Sequence, residues 1–244
     1  MRWNIVIPFS KPEMVHRCVN GLLRQRGVDE AVVCFVLSAD CWELCSLLSG
    51  LLKNSPFRAA FERAPYKGVS HARNAGNRFF QDGFSVVDSE HGQALLQHLD
   101  CDDYYGPGFL REQYEHMRPG RIVGKTMRFV YDAGGLMLIQ HSKNEGNRII
   151  KTPSVISGAT HGMMLNESSL YPIKKYGEDG LYCHAFVQRG GEMYETSIFN
   201  YCYMRDAHSH TWNIDVREKA RVSRTIKTIG LDFDEAIING EKSI

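Results

Sequence analysis

The chain has 244 residues, 43% of them hydrophobic and 23% charged, which excludes wholesale disorder and suits one well-filled core. Its 29 basic residues nearly balance its 28 acidic ones, so no overall positive charge draws it to polyanions, although a local basic groove would escape such a count. The seven cysteines are odd in number and lack Cys-x-x-Cys spacing, and Cys18, Cys34 and Cys202 lie in apolar runs; they are expected as reduced core residues of a cytosolic protein.

The first run, Asn4 to Phe9, is too short for the apolar region of a secretory signal, and no window approaches a membrane span. A cytoplasmic location is expected, with a peripheral contact at a membrane still compatible. Ile5-Val6-Ile7 before Pro8 predicts a buried strand. Ser10 and Glu13 have capping-box spacing, with Pro12 in the first turn. Met14, Val15, Cys18, Val19, Leu22 and Leu23 then give one apolar helical face. Val32 to Leu37 predicts the second strand. Asp40 and Glu43 repeat the capping spacing before a leucine-rich helix, Leu44 to Leu52, which makes Asp40 its expected N-cap.

Phe57 to Phe61 predicts a weaker strand, and Ser70 caps a third helix expected to run to Phe80. Gln81 to Gln93 is polar and reads as an insertion loop. Leu95 to Leu99 is a strand that runs into Asp100-Cys101-Asp102-Asp103. Strand and helix alternating in this order predict a mostly parallel sheet covered by helices. Beyond about residue 120, Ile122 to Tyr131 and Leu136 to Gln140 flank a glycine turn and read as a hairpin. A strand is expected near His161 to Leu165, a helix opening at Gly177-Glu178-Asp179, an extended stretch from Glu195 to Met204, and a charged helix over Asp215 to Ile229.

Five blocks carry chemistry. Three carboxylates at Asp100, Asp102 and Asp103 end an apolar strand, where open α/β sheets bind ligands. Crowded like charges call for a cation, and hard oxygen donors suit Mg²⁺ or Mn²⁺ bridged to phosphates; a solvated acidic turn is the competing reading. Asp40 ends the second strand at the same expected edge. In Lys67 to Gly76, Gly68 permits close backbone approach, a helix start favours anions, and Arg73 can fork onto a carboxylate, a phosphate or a base edge. Glu178-Asp179 is either an ordinary acidic helix start or a general base. His208 and His210, two apart, can share a face and complete an octahedral shell, or with aspartates make a zinc site.

Singly these blocks are unspecific. Their order resembles family 2 glycosyltransferases of the GT-A fold, from about Asn4 to Trp212: strand–Pro8, strand–Asp40, Ala72-Arg73-Asn74-Ala75-Gly76, Leu99-Asp100-Cys101-Asp102-Asp103, Glu178-Asp179 and the histidines. The resemblance implies an α/β fold, with a Rossmann-like, mostly parallel central sheet flanked by helices and a smaller antiparallel acceptor-side portion. It implies one domain, residues 1–120 binding the nucleotide sugar and 121–244 the acceptor. It implies inverting transfer from a nucleoside-diphosphate sugar, most often a uridine one.

In that scheme Pro8 and Ser10 lie along the nucleotide, and Asp40 faces the base. Arg73 approaches the base or diphosphate, and Asp100 the ribose or metal. Asp102 binds Mn²⁺ or Mg²⁺, Asp179 is the base with Glu178 beside it, and His208 or His210 makes a late metal or phosphate contact. The sequence departs from the family at Pro8-Phe9-Ser10-Lys11, where a Pro-Thr-Tyr-Asn-like turn is usual, at Ser38-Ala39-Asp40, and in the long gap from Gly76 to Asp100. The first two departures bear on which donor is used, and the gap on an acceptor or partner site.

The acceptor is expected to be a saccharide or glycolipid, with a hydroxylated base in DNA as the minority reading. Tyr171, Tyr176, Tyr182 and Trp212 are either stacking platforms for it or core. A nucleotidyltransferase that makes the activated sugar would carry a glycine-rich basic loop where Phe9-Ser10-Lys11-Pro12 stands. A binding module that keeps only the nucleotide pocket is the third reading.

Overall fold

The computed structural model describes residues 1–64, 68–126, 128–132, 135–139, 146–151, 154–167, 170–173, 177–197, 199–205 and 226–229. In chain order the elements are β1 (Arg2–Phe9), α1 (Val15–Leu23), β2 (Glu30–Leu37), α2 (Cys45–Leu52), β3 (Phe57–Arg63), α3 (Val69–Phe79), β4 (Leu95–His98), β5 (Tyr104–Tyr105) and α4 (Phe109–Glu115). Then follow β6 (Arg121–Gly124), β7 (Arg128–Asp132), β8 (Gly135–Ile139), β9 (Arg148–Ile150), β10 (Gly162–Met164), α5 (Glu178–Gln188), β11 (Glu192–Glu195), β12 (Tyr201–Arg205) and β13 (Ile226–Ile229).

An eight-stranded sheet runs β3-β2-β1-β4-β10-β6-β11-β9, and a five-stranded sheet runs β13-β8-β7-β12-β5. In the large sheet β3, β2, β1 and β4 are mutually parallel, and β6 pairs parallel with β11; β10 and β9 pair antiparallel with their neighbours. This is the mixed α/β layout with a mostly parallel central sheet that the resemblance implies.

Alternation along β1 and β2 builds the two faces. Trp3, Ile5, Ile7 and Phe9 join Ala31, Val33, Phe35 and Leu37 in one core with α1 and α2. Val6, Val32, Cys34 and Val36 join the other core, with α3 and α5. Both faces are buried, so the strands read as continuous apolar runs rather than alternating ones. α3 lies close on β1: a Cβ on Gly76 would sit 2.4 Å from a Val6 methyl.

The parallel register brings Phe9, Leu37 and Arg63 to one level, with His98 ending β4 on the same side. After β1 the chain turns to β2 and β3 on one side, and β4 joins on the other. The gap between β1 and β4 is therefore the topological switch point, where open sheets take ligands.

Several local expectations are corrected. Ser10 caps nothing: a 3₁₀ turn, Pro12–Met14, follows Lys11, and α1 starts only at Val15. Asp40 is not the cap of the leucine-rich helix, because a second 3₁₀ turn, Ala39–Leu44, intervenes after Ser38. α3 begins after Gly68, whose φ of 128° redirects the chain, so Ser70 lies inside the first turn, buried.

The long strand expected from Ile122 breaks in two. Lys125 turns inward there, leaving β6 in the large sheet and β7 in the small one; β7 and β8 form the expected hairpin. The end of the expected C-terminal helix, Ile226–Ile229, is a strand paired antiparallel with β8, in keeping with its β-branched Ile and Thr residues. Residues 215–225 of that helix lie outside the described residues. No helix among the described residues is long and apolar enough to cross a membrane.

Candidate functional site

The acidic turn after β4 splits its three carboxylates. Asp103 points inward, 2% exposed, where its carboxylate accepts hydrogen bonds from the Tyr201 hydroxyl at 2.7 Å and the Met204 backbone N–H at 3.2 Å. Burial pushes Asp103 well above the usual carboxylate range, with the charges of Asp102 and Asp100 adding to the effect. Asp103 ties the turn to β12 and leaves the expected cluster of three; Asp100 and Asp102 remain at the sheet edge. The Asp100 backbone N–H donates to the Tyr105 hydroxyl at 2.7 Å, and that hydroxyl donates to the Ala159 carbonyl at 3.0 Å, which fixes the turn from below.

Arg73, on α3, is the hub. Its Nη2 donates to Asp100 Oδ1 at 2.9 Å and its Nη1 to Asp179 Oδ1 at 3.2 Å, with Glu178 Oε1 3.7 Å from Nη1. The guanidinium lies 5.4 Å from the centre of the Tyr171 ring, and its side chain is only 3% exposed. Burial works against the charge, but Asp100 and Asp179 more than offset it and the pKa is raised. Desolvation pushes Asp100 up; Arg73 pulls it down and Asp102 pushes it up again. Desolvation also raises Glu178, helped by Asp179. Arg73 Nε is buried with no hydrogen-bond partner among the described residues.

α5 presents Glu178 and Asp179 in its first turn after Gly177, whose left-handed backbone (φ 74°) starts the helix. Acidic residues are favoured there by the helix dipole. Gly158 makes room for the hub: a Cβ there would lie 2.3 Å from both Arg73 Nη1 and Asp179 Oδ1.

Lys11, where the chain leaves β1, is ion-paired with Asp102 across the switch point, and Arg17 Nη1 from α1 donates to the Asp102 carbonyl at 3.1 Å. Burial works against the Lys11 charge, but Asp102 outweighs it and the pKa is raised. Pro8 is the half-buried penultimate residue of β1, and Ser10 and Asp40 are exposed beyond the ends of β1 and β2. His208 and His210 lie outside the described residues, as do Tyr176 and Trp212.

Beneath Arg73 is a buried polar core. His161 Nε2 donates to the Ile156 carbonyl at 2.8 Å, so Nδ1 accepts from the Tyr171 hydroxyl. The Tyr171 oxygen in turn accepts from His98 Nδ1 at 2.9 Å. His98 Nε2, 2.7 Å from the Asn77 amide, is then an acceptor, and turning that amide gives its otherwise orphaned Nδ2 a partner. Burial lowers both imidazoles, His161 to about 4 and His98 well below its usual value, so both are neutral. Tyr171 and Tyr182 stack on each other at 4.2 Å and are buried, so they are core and cannot stack on an acceptor.

Among the described residues, no group of three or more His, Cys, Asp or Glu side chains converges to hold a metal alone. Asp100 and Asp102 nonetheless offer hard oxygen donors, and small divalent cations are commonly held by one or two carboxylates plus substrate phosphates. The carboxylates of Asp100, Asp102, Glu178 and Asp179 outnumber the neighbouring cations Lys11, Arg17 and Arg73, so added positive charge is accommodated there.

The sequence left two members of the site unassigned. Lys11 carried no role because its partner lies 91 residues away. Gly158 stood without a motif; its one signal is a glycine inside an otherwise side-chain-bearing run, Ser154 to Thr160.

No protein-family model matches the chain, and none of the curated proteins does. Solved structures share its fold. TarS of S. aureus superposes with a TM-score of 0.50 at 13% identity, over 86% of this chain and 36% of that one. Its fragment 1–349, and the same fragment in complex with UDP, each give 0.51 at 14%, over 84% of this chain and 60% of theirs. The chain thus spans less than two thirds of each solved chain, and the likeness is one of fold.

Proposed function

We propose that this chain is an inverting glycosyltransferase that moves a sugar from a nucleoside-diphosphate sugar, with UDP the expected nucleotide, to a hydroxyl of a saccharide or glycolipid, with Mn²⁺ or Mg²⁺ at Asp102 and Asp100. One observation carries the reading. A single guanidinium grips Asp100, which follows β4 at the switch point, and Asp179, in the first turn of α5. The carboxylate proposed for the donor side and the one proposed as base are thus held by one side chain, which suits displacement from opposite faces of a sugar. The fold shared with a protein solved with UDP supports the choice of donor.

In this scheme the nucleotide lies along Pro8 and Ser10 with its base toward Asp40. Asp102 and Asp100 hold the cation, which when bound supplies Lewis-acid stabilisation of the charge developing on the departing diphosphate. Arg73 fixes Asp179 toward the acceptor. Asp179 accepts the hydroxyl proton as that oxygen attacks the anomeric carbon, and Glu178 beside it orients the acceptor. Burial of Arg73 keeps this arrangement preorganised rather than assembled at each turnover.

The test is release of nucleoside diphosphate from a panel of nucleotide sugars, with and without Mn²⁺ and with saccharide acceptors. Asp179→Asn is expected to lower turnover by about 10²–10⁴-fold, the usual scale for a general base. Unchanged turnover in Asp179→Asn or Asp102→Asn would overturn the proposal.

A further inference from the structure

Lys11 and Asp102 meet at the switch point between β1 and β4. β1 and β4 are adjacent and parallel, paired through Val6 and His98, and Lys11 and Asp102 follow just beyond their ends. Their ion pair is the most accessible charge contact of the site: the two side chains are 19% and 20% exposed, against 3% for Arg73. Arg73 has three carboxylates around it and a packed floor of Tyr171 below, so it cannot leave. Among the described residues Lys11 is ion-paired with one carboxylate, and its flexible four-carbon stem ends in a compact ammonium that adapts to new partners.

Resting on the transfer reading above, we propose that Lys11 is an exchangeable counter-ion. It holds Asp102 until a divalent cation arrives with a nucleoside diphosphate, and then turns its ammonium onto the diphosphate. An ammonium and a divalent cation compete for the same carboxylate oxygens, so the cation alone must displace Lys11 with nothing in return. A diphosphate supplies the displaced ammonium with a new anionic partner. The two ligands therefore assist each other through Lys11, and the assistance is reciprocal. The turn need not rearrange when Lys11 lets go. Its backbone stays anchored by Arg17 on the Asp102 carbonyl, by Tyr105 at Asp100 and by Tyr201 on Asp103. Lys11 also stands where the glycosyltransferase resemblance departs from its pattern, so the device belongs to this chain.

The experiment is calorimetric titration of Mn²⁺, alone and with saturating UDP, into the wild type, Lys11→Met, Lys11→Gln and Lys11→Arg, each checked for folding by circular dichroism. Lys11→Met and Lys11→Gln are expected to bind Mn²⁺ alone at least fivefold more tightly than the wild type, and to lose most of the gain in Mn²⁺ affinity that UDP confers. Lys11→Arg keeps wild-type behaviour in direction. The Gln variant preserves most of the stem, so a folding failure in Met leaves the test intact. Unchanged Mn²⁺ affinity and unchanged UDP assistance would overturn the exchange while leaving the transfer reading in place. So would UDP binding to the wild type without Mn²⁺, abolished in Lys11→Met. A wild type that binds neither Mn²⁺ nor UDP would overturn both.

Discussion

Two buried cations in this molecule, Arg73 and Lys125, show how a site differs from a staple. Lys125 is 1% exposed, and its ammonium donates to Glu112 at 2.8 Å, the Thr196 hydroxyl at 3.1 Å and the Ser197 carbonyl at 2.7 Å. All three of its donors are used. Arg73 is as deeply set but unfinished: three carboxylates approach its two terminal nitrogens, its Nε has no partner among the described residues, and two of its carboxylates are a quarter exposed. A closed shell locks β6 against α4 and the segment before β12. The open shell, with partly exposed carboxylates, is what the proposed cation and donor would complete.

Four changes break or sharpen that contrast. The largest is Asp179→Asn, which is expected to cost about 10²–10⁴-fold in transfer while leaving the urea midpoint nearly unchanged, because its partner Arg73 keeps Asp100. Lys125→Ala is the mirror image. Leaving Glu112 without its buried partner is expected to destabilise the fold by about 3–5 kcal/mol in denaturant titration, with specific activity of the folded fraction retained.

The next effect is on pH. The folded-state pKa of His161 lies near 4, below its unfolded value, so the unfolded chain binds the extra proton between about pH 6.5 and 4. Stability is full above pH 6.5 and is lost as pH falls toward 4, by roughly 3 kcal/mol from this group, with His98 acting in the same direction. Urea midpoints measured from pH 7 to 4 check the sign, and His161→Gln is expected to flatten the curve. The smallest is Gly158→Ala, whose methyl overlaps Arg73 and Asp179; it is expected to cost about 1–3 kcal/mol and to reduce transfer more than its stability loss explains, read from kcat against midpoint.

The parallel half of the fold was legible because buried strands announce themselves. Ile5 to Phe9 and Val32 to Leu37 are apolar on both faces, and β1 and β2 end where those runs end; Leu95-Leu96 opens β4, whose Gln97 and His98 are buried polar residues. Caps were misread because Ser10, Asp40 and Ser70 stand near helix starts without closing them; 3₁₀ turns and Gly68 do that work, and neither leaves a periodic signal. The break at Lys125 was invisible for a different reason: its partners come from α4 and from the loop before β12, so only the folded chain assembles them.

The site divides the same way. Arg73, Asp100, Glu178 and Asp179 were each nameable from local pattern, and the structure brings all four together. That Asp103 turns inward, and that Lys11 reaches Asp102, depend on contacts 98 and 91 residues apart, which no local pattern encodes.

The account rests on the proposal that a cation-bound nucleoside diphosphate binds at Asp100 and Asp102, beyond the ends of β1 and β4. Calorimetric titration of UDP into the wild type and into Asp102→Asn, each with and without Mn²⁺, tests this most directly. Binding that requires Mn²⁺ in the wild type and weakens at least tenfold in the folded Asp102→Asn variant is the predicted result. UDP binding of equal strength in both proteins, or none in either, would contradict it.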